Sequence, residues 1–224
     1  MTHPHPTRSA ATSGALLIVV GMRREAAIAA AHGRTAVGAA GLAAALAAER
    51  PAGIISFGLC GGLGPALRVG DIVVADAVIS GGRRAATTAA WNQAIRAALP
   101  HAQAGDLAAG DQILGSTAAK AALARATGAV AVDMESHAVA EQAQALGIPF
   151  AVLRVVSDAA DRTLPRAAQA GFKADGEPDI AAVILALLRR PWELPDLIRV
   201  AGDSETAFRS LAAAATALRP PTEV

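Results

Sequence analysis

Tyrosine is missing from this 224-residue chain, aromatics make up only 3% of it, there is a single cysteine, and lysine occurs only as Lys120 and Lys173. Each scarcity excludes something. A nucleic-acid binder ordinarily carries a concentrated basic footprint and aromatic platforms for stacked bases. With a net charge of +1 and no basic run longer than a doublet, this chain has neither. A lone Cys60 excludes an internal disulfide and fits a reducing compartment; among apolar and glycine residues it reads as a small buried filler. The histidines at 3, 5, 32, 101 and 137 show no ligand spacing, so no metal is expected. No apolar run reaches transmembrane length, and the opening MTHPHPTRSAATS lacks the apolar core of a secretion signal. The expectation is a cytoplasmic protein with a disordered tail over residues 1–13 and one domain over 14–224. At 53% hydrophobic, that length can bury one good core.

What is present alternates. Continuous apolar stretches at 15–20, 53–58, 72–79, 129–132 and 150–156 read as buried strands. Helical segments are expected from residue 23 onward and over 35–49, 91–99, 116–127, 134–146 and 178–190. The last of these places Ile180, Val183, Ile184, Leu187 and Leu188 on one face. Beyond Pro191 a turn around Pro195 and one or two further helices are expected, an extra C-terminal segment over 191–224. Apolar strands alternating with helices need cover on both faces of the sheet, which predicts an α/β fold: a three-layer α/β/α sandwich.

Two acidic stretches stand out. Val132-Asp133-Met134-Glu135-Ser136 follows one apolar run, and Ser157-Asp158 ends another. Carboxylates at strand ends are where small-molecule sites of open α/β sheets lie, and burial there can shift their pKa values into a useful range. The segment Gly58-Leu59-Cys60-Gly61-Gly62-Leu63-Gly64 follows a strand but is no dinucleotide fingerprint, since residues 65–71 cannot supply a crossover helix. Its glycines better serve a close approach of backbone to a ligand. Asp71 reads as structural, and His137 as a surface or packing residue.

The run GLCGGLGPALRVGDIVVAD resembles the glycine-rich signature of the nucleoside phosphorylase/nucleosidase superfamily. GDQIL (110–114), VDMES (132–136) and VLRVVSDAAD (152–161) follow in the order and spacing of its methylthioadenosine/S-adenosylhomocysteine nucleosidase branch, and Gly21-Met22 with Glu25 resembles that branch's N-terminal turn. The likeness spans roughly residues 15–190 and implies an α/β/α sandwich around a mixed, partly barrelled sheet. Within the superfamily the chain looks most like the hopanoid-associated phosphorylases. It lacks an aromatic-rich insertion after residue 76, has Leu-Cys in the glycine turn, and continues past the usual family end.

That resemblance implies roles. Asp158 would protonate or hydrogen-bond adenine N7, with Ser157 orienting it. Glu135 would bind the ribose hydroxyls and favour the oxocarbenium-like ring. Met134 would pack under the sugar, Ile113 and Leu114 would lie against adenine, and Gly61 would admit the substrate. Glu25 would activate water. Asp133, where the branch more often has Glu, would point away from the sugar. Arg23, Arg24 and Ser56 are candidate phosphate ligands, although Leu59 replaces a customary serine and Glu25 would repel phosphate. The residues lean toward hydrolysis and the group's name toward phosphorolysis, so water and phosphate both stay open as acceptor.

The implied function is release of adenine from an adenosine with a bulky apolar 5′ substituent, adenosylhopane in hopanoid biosynthesis, with no cofactor. Methylthioadenosine nucleosidase, general purine nucleoside phosphorylase and a non-catalytic nucleoside-binding protein are the alternatives. Trp192, Leu194, Leu197 and Ile198 are expected either to line an apolar entrance that touches the inner membrane or to pack on the core. A homodimer or larger homo-oligomer is implied by the family.

Overall fold

The computed structural model describes residues 15–111, 114–170 and 179–219, so the expected tail over 1–13 and the Ile113 position lie outside the described residues. The chain enters the fold as β1 (Leu16–Val20), five aliphatic residues that are all buried. A run without polar alternation must be covered on both faces. Strand β2 (Arg34–Val37) pairs with it in parallel on one side and β3 (Gly53–Gly62) on the other. Each fully buried aliphatic side chain contributes about 1.5–3 kcal/mol, so this short strand is a strong anchor. Helix α1 (Arg23–Ala29) connects β1 to β2.

The alanine-rich helix expected from residue 35 begins only at Gly38, as α2 (Gly38–Ala48). Residues 34–37 find a parallel ladder on β1 instead, and Gly38, at a φ of 64°, turns the chain out of it. Strand β3 runs through the glycine segment to Gly62, past the end expected at residue 58. Strands β4 (Ile72–Ser80) and β5 (Arg83–Ala86) form an antiparallel hairpin. Gly81 and Gly82 between them both have positive φ, as a two-residue type I′ turn requires. Neither the charged β5 nor β6 (Gln103–Ala109) has the composition of a strand; their ladder partners make them so.

Helix α3 (Ala89–Ala98) lies between β5 and β6, and α4 (Thr117–Thr127), β7 (Ala131–Asp133), α5 (Ser136–Leu146) and β8 (Phe150–Asp158) follow. Helix α5 starts two residues later than expected, because the Asp133 carboxylate accepts the Ser136 N–H at 3.1 Å and keeps Met134 and Glu135 in the link. The short α6 (Arg166–Ala170), α7 (Ile180–Arg189) and the long α8 (Leu194–Ala214) close the chain. Pro195 sits in the first turn of α8 and makes no separate turn; a missing N–H costs nothing there.

The strand order is β2-β1-β3-β7-β6-β4-β5, with β8 paired to both β3 and β4. Since β3–β7, β7–β6, β6–β4, β4–β8 and β8–β3 are all hydrogen-bonded, those strands close into a ring. The β3/β7, β4/β5 and β4/β8 pairs are antiparallel and the others parallel. One apolar layer gathers Leu17, Leu42, Ile54, Val139 and Val152 beneath α2 and α5. The other gathers Ile18, Phe57, Ile95, Leu153, Phe208 and Leu211 beneath α1, α3 and α8. The architecture is the expected α/β/α sandwich with a mixed sheet.

Candidate active site

Both acidic stretches end at one rim of the ring. Strand β7 is antiparallel to β3, with Val132 opposite Gly61, so the chain leaving Asp133 runs back along β3. That brings Asp133 and Glu135 to the level of Arg154, in the middle of the parallel neighbour β8. The β3/β8 ladder then slips: Cys60 faces Val156 and Gly61 faces Asp158, leaving Ser157 as the extra residue of a bulge. Bulges re-aim side chains at sheet rims, and this one carries Ser157 and Asp158.

Arg154 is fully buried and organises the first half of the site. Its Nη2 lies 2.6 Å from Asp133 Oδ2 and its Nη1 3.4 Å from Glu135 Oε2. It also donates to Ser56 Oγ at 2.6 Å and to the Leu59 carbonyl at 3.3 Å. Ser136 Oγ approaches Asp133 Oδ2 at 2.5 Å and Ser56 Oγ at 3.0 Å. Asp133 is therefore a buried partner of the guanidinium, and Ser56 belongs to the same closed network.

Glu25 joins from α1. At the third helical position its carboxylate is favoured by the helix dipole, and here it is also buried. Oε2 accepts the N–H groups of Gly21 (2.8 Å) and Met22 (2.9 Å), and Oε1 accepts that of Leu59 (2.8 Å). Burial raises its pKa, while Arg154 and the three amides pull the other way. Burial likewise pushes Glu135 up to about 7, opposed by Arg154 and reinforced by Asp133 and Glu25.

Two glycines make this packing feasible. A Cβ on Gly21 would lie 2.5 Å from Glu135 Oε1, and one on Gly58 would lie 2.5 Å from Glu25 Oε1 and 2.7 Å from Arg154 Nη1. Both positions must lack a side chain for the carboxylates to sit where they do.

Asp158 forms the second half. A Cβ on Gly61 would stand 3.3 Å from its Oδ2. Ser157 Oγ is 3.0 Å from Oδ1, and the buried Lys120, on α4, donates to Oδ2. Burial raises the Asp158 pKa against the pull of Lys120. A recess of about 20 Å³, room for one water, is lined by Asp158, Ser157, Arg162, Asp196, Arg199 and Asp203. A groove of about 510 Å³ lies elsewhere, between β4, β5 and α5, and His137 but no acid of the Arg154 network lines it.

Of the residues expected from the sequence, Glu25 and Glu135 meet at Arg154, and Asp158, Ser157 and Gly61 meet next to them. Met134 is exposed at the link, and Leu114 packs on Leu63, Ala108 and Ala129. The candidate phosphate ligands do not converge. Arg24 turns away to α8, where it binds both oxygens of Glu205 at 2.5 and 2.7 Å and lies 3.9 Å from the centroid of Phe208. Ser56 is sealed in the core, and Arg23 is exposed at the start of α1. Arg154 and Lys120 escape a reading based on acids alone. The signal for Arg154 is a single charge inside an apolar strand; for Lys120 it is the rarity of lysine.

Residues 4–189 match the family model of the phosphorylase superfamily. Among solved structures, the chain is similar to 5′-methylthioadenosine/S-adenosylhomocysteine nucleosidase from Neisseria meningitidis in complex with methylthio-immucillin-A. That likeness has a TM-score of 0.63 and 19% identity over 89% of this chain and 96% of the other. It is similar also to S-adenosylhomocysteine nucleosidase from Streptococcus pyogenes in complex with 5-methylthiotubericidin, with TM-score 0.58 and 23% identity over 68% and 87% of the two chains. A third similar structure is futalosine hydrolase of Helicobacter pylori, with TM-score 0.57 and 21% identity over 64% and 87%. By a family match that takes in β1 through α7, the chain belongs to the phosphorylase superfamily and is in class a nucleoside N-ribosyl hydrolase or phosphorylase.

Proposed function

We propose that the chain hydrolyses the N-glycosidic bond of an adenosine carrying a bulky apolar 5′ substituent and releases adenine. The observation that carries the choice of water is the seat of Glu25. The amides of Gly21, Met22 and Leu59 form the kind of concave donor set that binds a phosphate, and the Glu25 carboxylate occupies all three. Arg24 is committed to Glu205 and Ser56 is buried in the Arg154 network, so neither of these two is presented to a phosphate at that seat.

In this reading the C1′–N9 electron pair leaves with the purine as Asp158 protonates N7. Glu135 holds the ribose hydroxyls, and its charge favours the cationic ring. Glu25 takes the proton of the water that attacks C1′. Met134 lies under the sugar, and Leu114 lies against the base.

A bulky 5′ group is supported by α7, which has no buried residue and leaves Ile180, Ile184 and Leu188 in an exposed stripe, continued by Trp192 and Ile198. Adenosylhopane, in hopanoid biosynthesis, is the substrate we propose, its apolar part being of the kind such a stripe would suit. No helix among the described residues is long and apolar enough to cross a membrane. Methylthioadenosine is the second reading, supported by the likeness to the Neisseria nucleosidase over nearly its whole length.

Adenine release from adenosylhopane and from methylthioadenosine, each with and without phosphate, tests both. The expected result is phosphate-independent release, faster with adenosylhopane. Strict phosphate dependence, or turnover of inosine, would overturn the proposal. Asp158→Asn should lower kcat by about 10²–10⁴-fold; an unchanged rate removes Asp158 as the acid.

A further inference from the structure

We propose that Lys120 is the positioning residue of the leaving-group acid: its ammonium fixes the Asp158 carboxylate and the turn after it in one geometry, and sets the carboxyl's charge state for the step in which the purine departs. The inference rests on the role proposed above for Asp158.

Lys120 lies on α4 with its side chain 1% exposed. Lysine is almost never buried without partners, and here all three ammonium protons have one. Nζ donates to Asp158 Oδ2, to the Ala159 carbonyl at 2.8 Å and to the Arg162 carbonyl at 3.2 Å. One cation thus ties the carboxylate to the backbone of the turn that carries it away from β8. The other carboxylate oxygen faces Ser157 Oγ at 3.0 Å. Asp158 is held from both sides.

The choice of lysine in a chain with 18 arginines and two lysines is itself informative. Three acceptors around one point suit a compact ammonium with three donors. A planar guanidinium would present its donors in a fork and needs more room. The same α4 approaches the turn a second way, through its leading residues: Leu164 N–H donates to the Gly115 carbonyl at 2.8 Å.

Burial alone would favour the neutral carboxyl and leave a weak acid; a cation in contact pulls toward the carboxylate. The two act on Asp158 in opposition. The other charged or titratable groups that face it are Cys60 from β3, Arg162 from the turn, and Asp196, Arg199 and Asp203 from α8. The hydrogen bonds to the carboxylate come instead from Lys120 and Ser157.

The test combines Lys120→Met, which removes charge and donors, with Lys120→Arg, which keeps the charge and changes the shape. In Lys120→Met the Asp158 proton is held to higher pH, so the alkaline limb of kcat/KM moves up by at least about one unit. The kcat at neutral pH falls about 10–100-fold with little change in KM. In Lys120→Arg the limb stays in place while kcat falls. A ¹³C-carboxyl titration of Asp158, assigned by its loss in Asp158→Asn, reads the same shift without turnover.

A limb and a carboxyl titration unmoved in Lys120→Met, or wild-type kcat in Lys120→Arg, would overturn the proposal. Should Lys120→Met not fold, the titration and kcat of Lys120→Arg decide. A wild-type protein that releases no adenine would instead sink the reading of the site, and the carboxyl titration would still report whether Lys120 governs Asp158.

Discussion

Around Arg154, three carboxylates share one guanidinium; around Asp158, one carboxylate has one ammonium. The first group, when fully ionised, carries a surplus of two negative charges in a place from which water is largely excluded. The second is balanced. Burial above all, against the pull of Arg154 and with Asp133 and Glu25 adding to it, makes Glu135 hold its proton to about pH 7, which relieves that surplus. A cation arriving in the cleft would reverse that preference, since opposite charges at contact distance favour the ionised form. A balanced pair gains nothing from an incoming cation but keeps a carboxyl poised between its two states. In the proposed mechanism the unbalanced end would serve the developing ribosyl cation and the balanced end the departing base.

The sharpest way to break this contrast is Arg154→Met. It leaves Asp133, Glu135 and Glu25 without their common counter-charge, and removing one partner of a buried ion pair costs about 3–5 kcal/mol. Urea denaturation should show that loss, together with abolished adenine release; a variant of native stability would mean that Arg154 is not the organising charge.

A smaller effect is expected from Gly21→Ala. Its methyl would press on Glu135 and leave Asp158 untouched. A displacement near 1 Å costs about 100-fold in rate, and the pH dependence set by Asp158 should be unchanged. Stopped assays across pH would show whether the two ends are separable in this way.

The mildest test is pH itself. The folded-state pKa of Glu135, at about 7, lies above the ordinary value of 4.5. The native protein therefore binds an extra proton between those values. The corresponding stability is complete below about pH 4.5 and is lost as pH rises through 7, whereas activity, which needs the carboxylate, rises over the same interval. Glu135→Gln should flatten both curves near neutrality, and a rising limb that survives the substitution would assign it to another group.

Much of this was legible from residues alone, for physical reasons that differ by element. Strands β1, β3 and β8 announce themselves because an unbroken apolar run has no other stable home than a doubly covered sheet. Glu135 and Asp158 are readable because the first closely follows an apolar run and the second ends one. Strands β2, β5 and β6 are not, since Arg34–Val37, Arg83–Ala86 and Gln103–Ala109 lack an apolar run and become strands only through the ladder partners they find on β1 and β4. The same holds for the cations. A lone charge in an apolar strand marks Arg154 and the rarity of lysine marks Lys120, but neither signal names a partner; the closed ring and the bulge bring them to their carboxylates. The motif implies a direction away from the sugar for Asp133, but it does not foretell the salt bridge with Arg154. The failure of Arg24 and Ser56 to form a phosphate cradle also depends on tertiary partners, Glu205 and the buried serine pair.

The ring of strands has a consequence for how the protein is made. In chain order Glu25, Asp133 and Glu135 are all synthesised before Arg154, and the contacts that join them span separations such as 80 residues for Ser136–Ser56 and 95 for Arg154–Leu59. Closing such long loops is slow. Until β8 emerges, the three acids have no counter-charge and belong in water, so the chain up to α5 cannot bury these carboxylates by itself. The last strand to appear supplies both the neutralising arginine and Asp158. A nascent chain therefore stays open at this rim until synthesis has passed the point at which the site can be completed in one event.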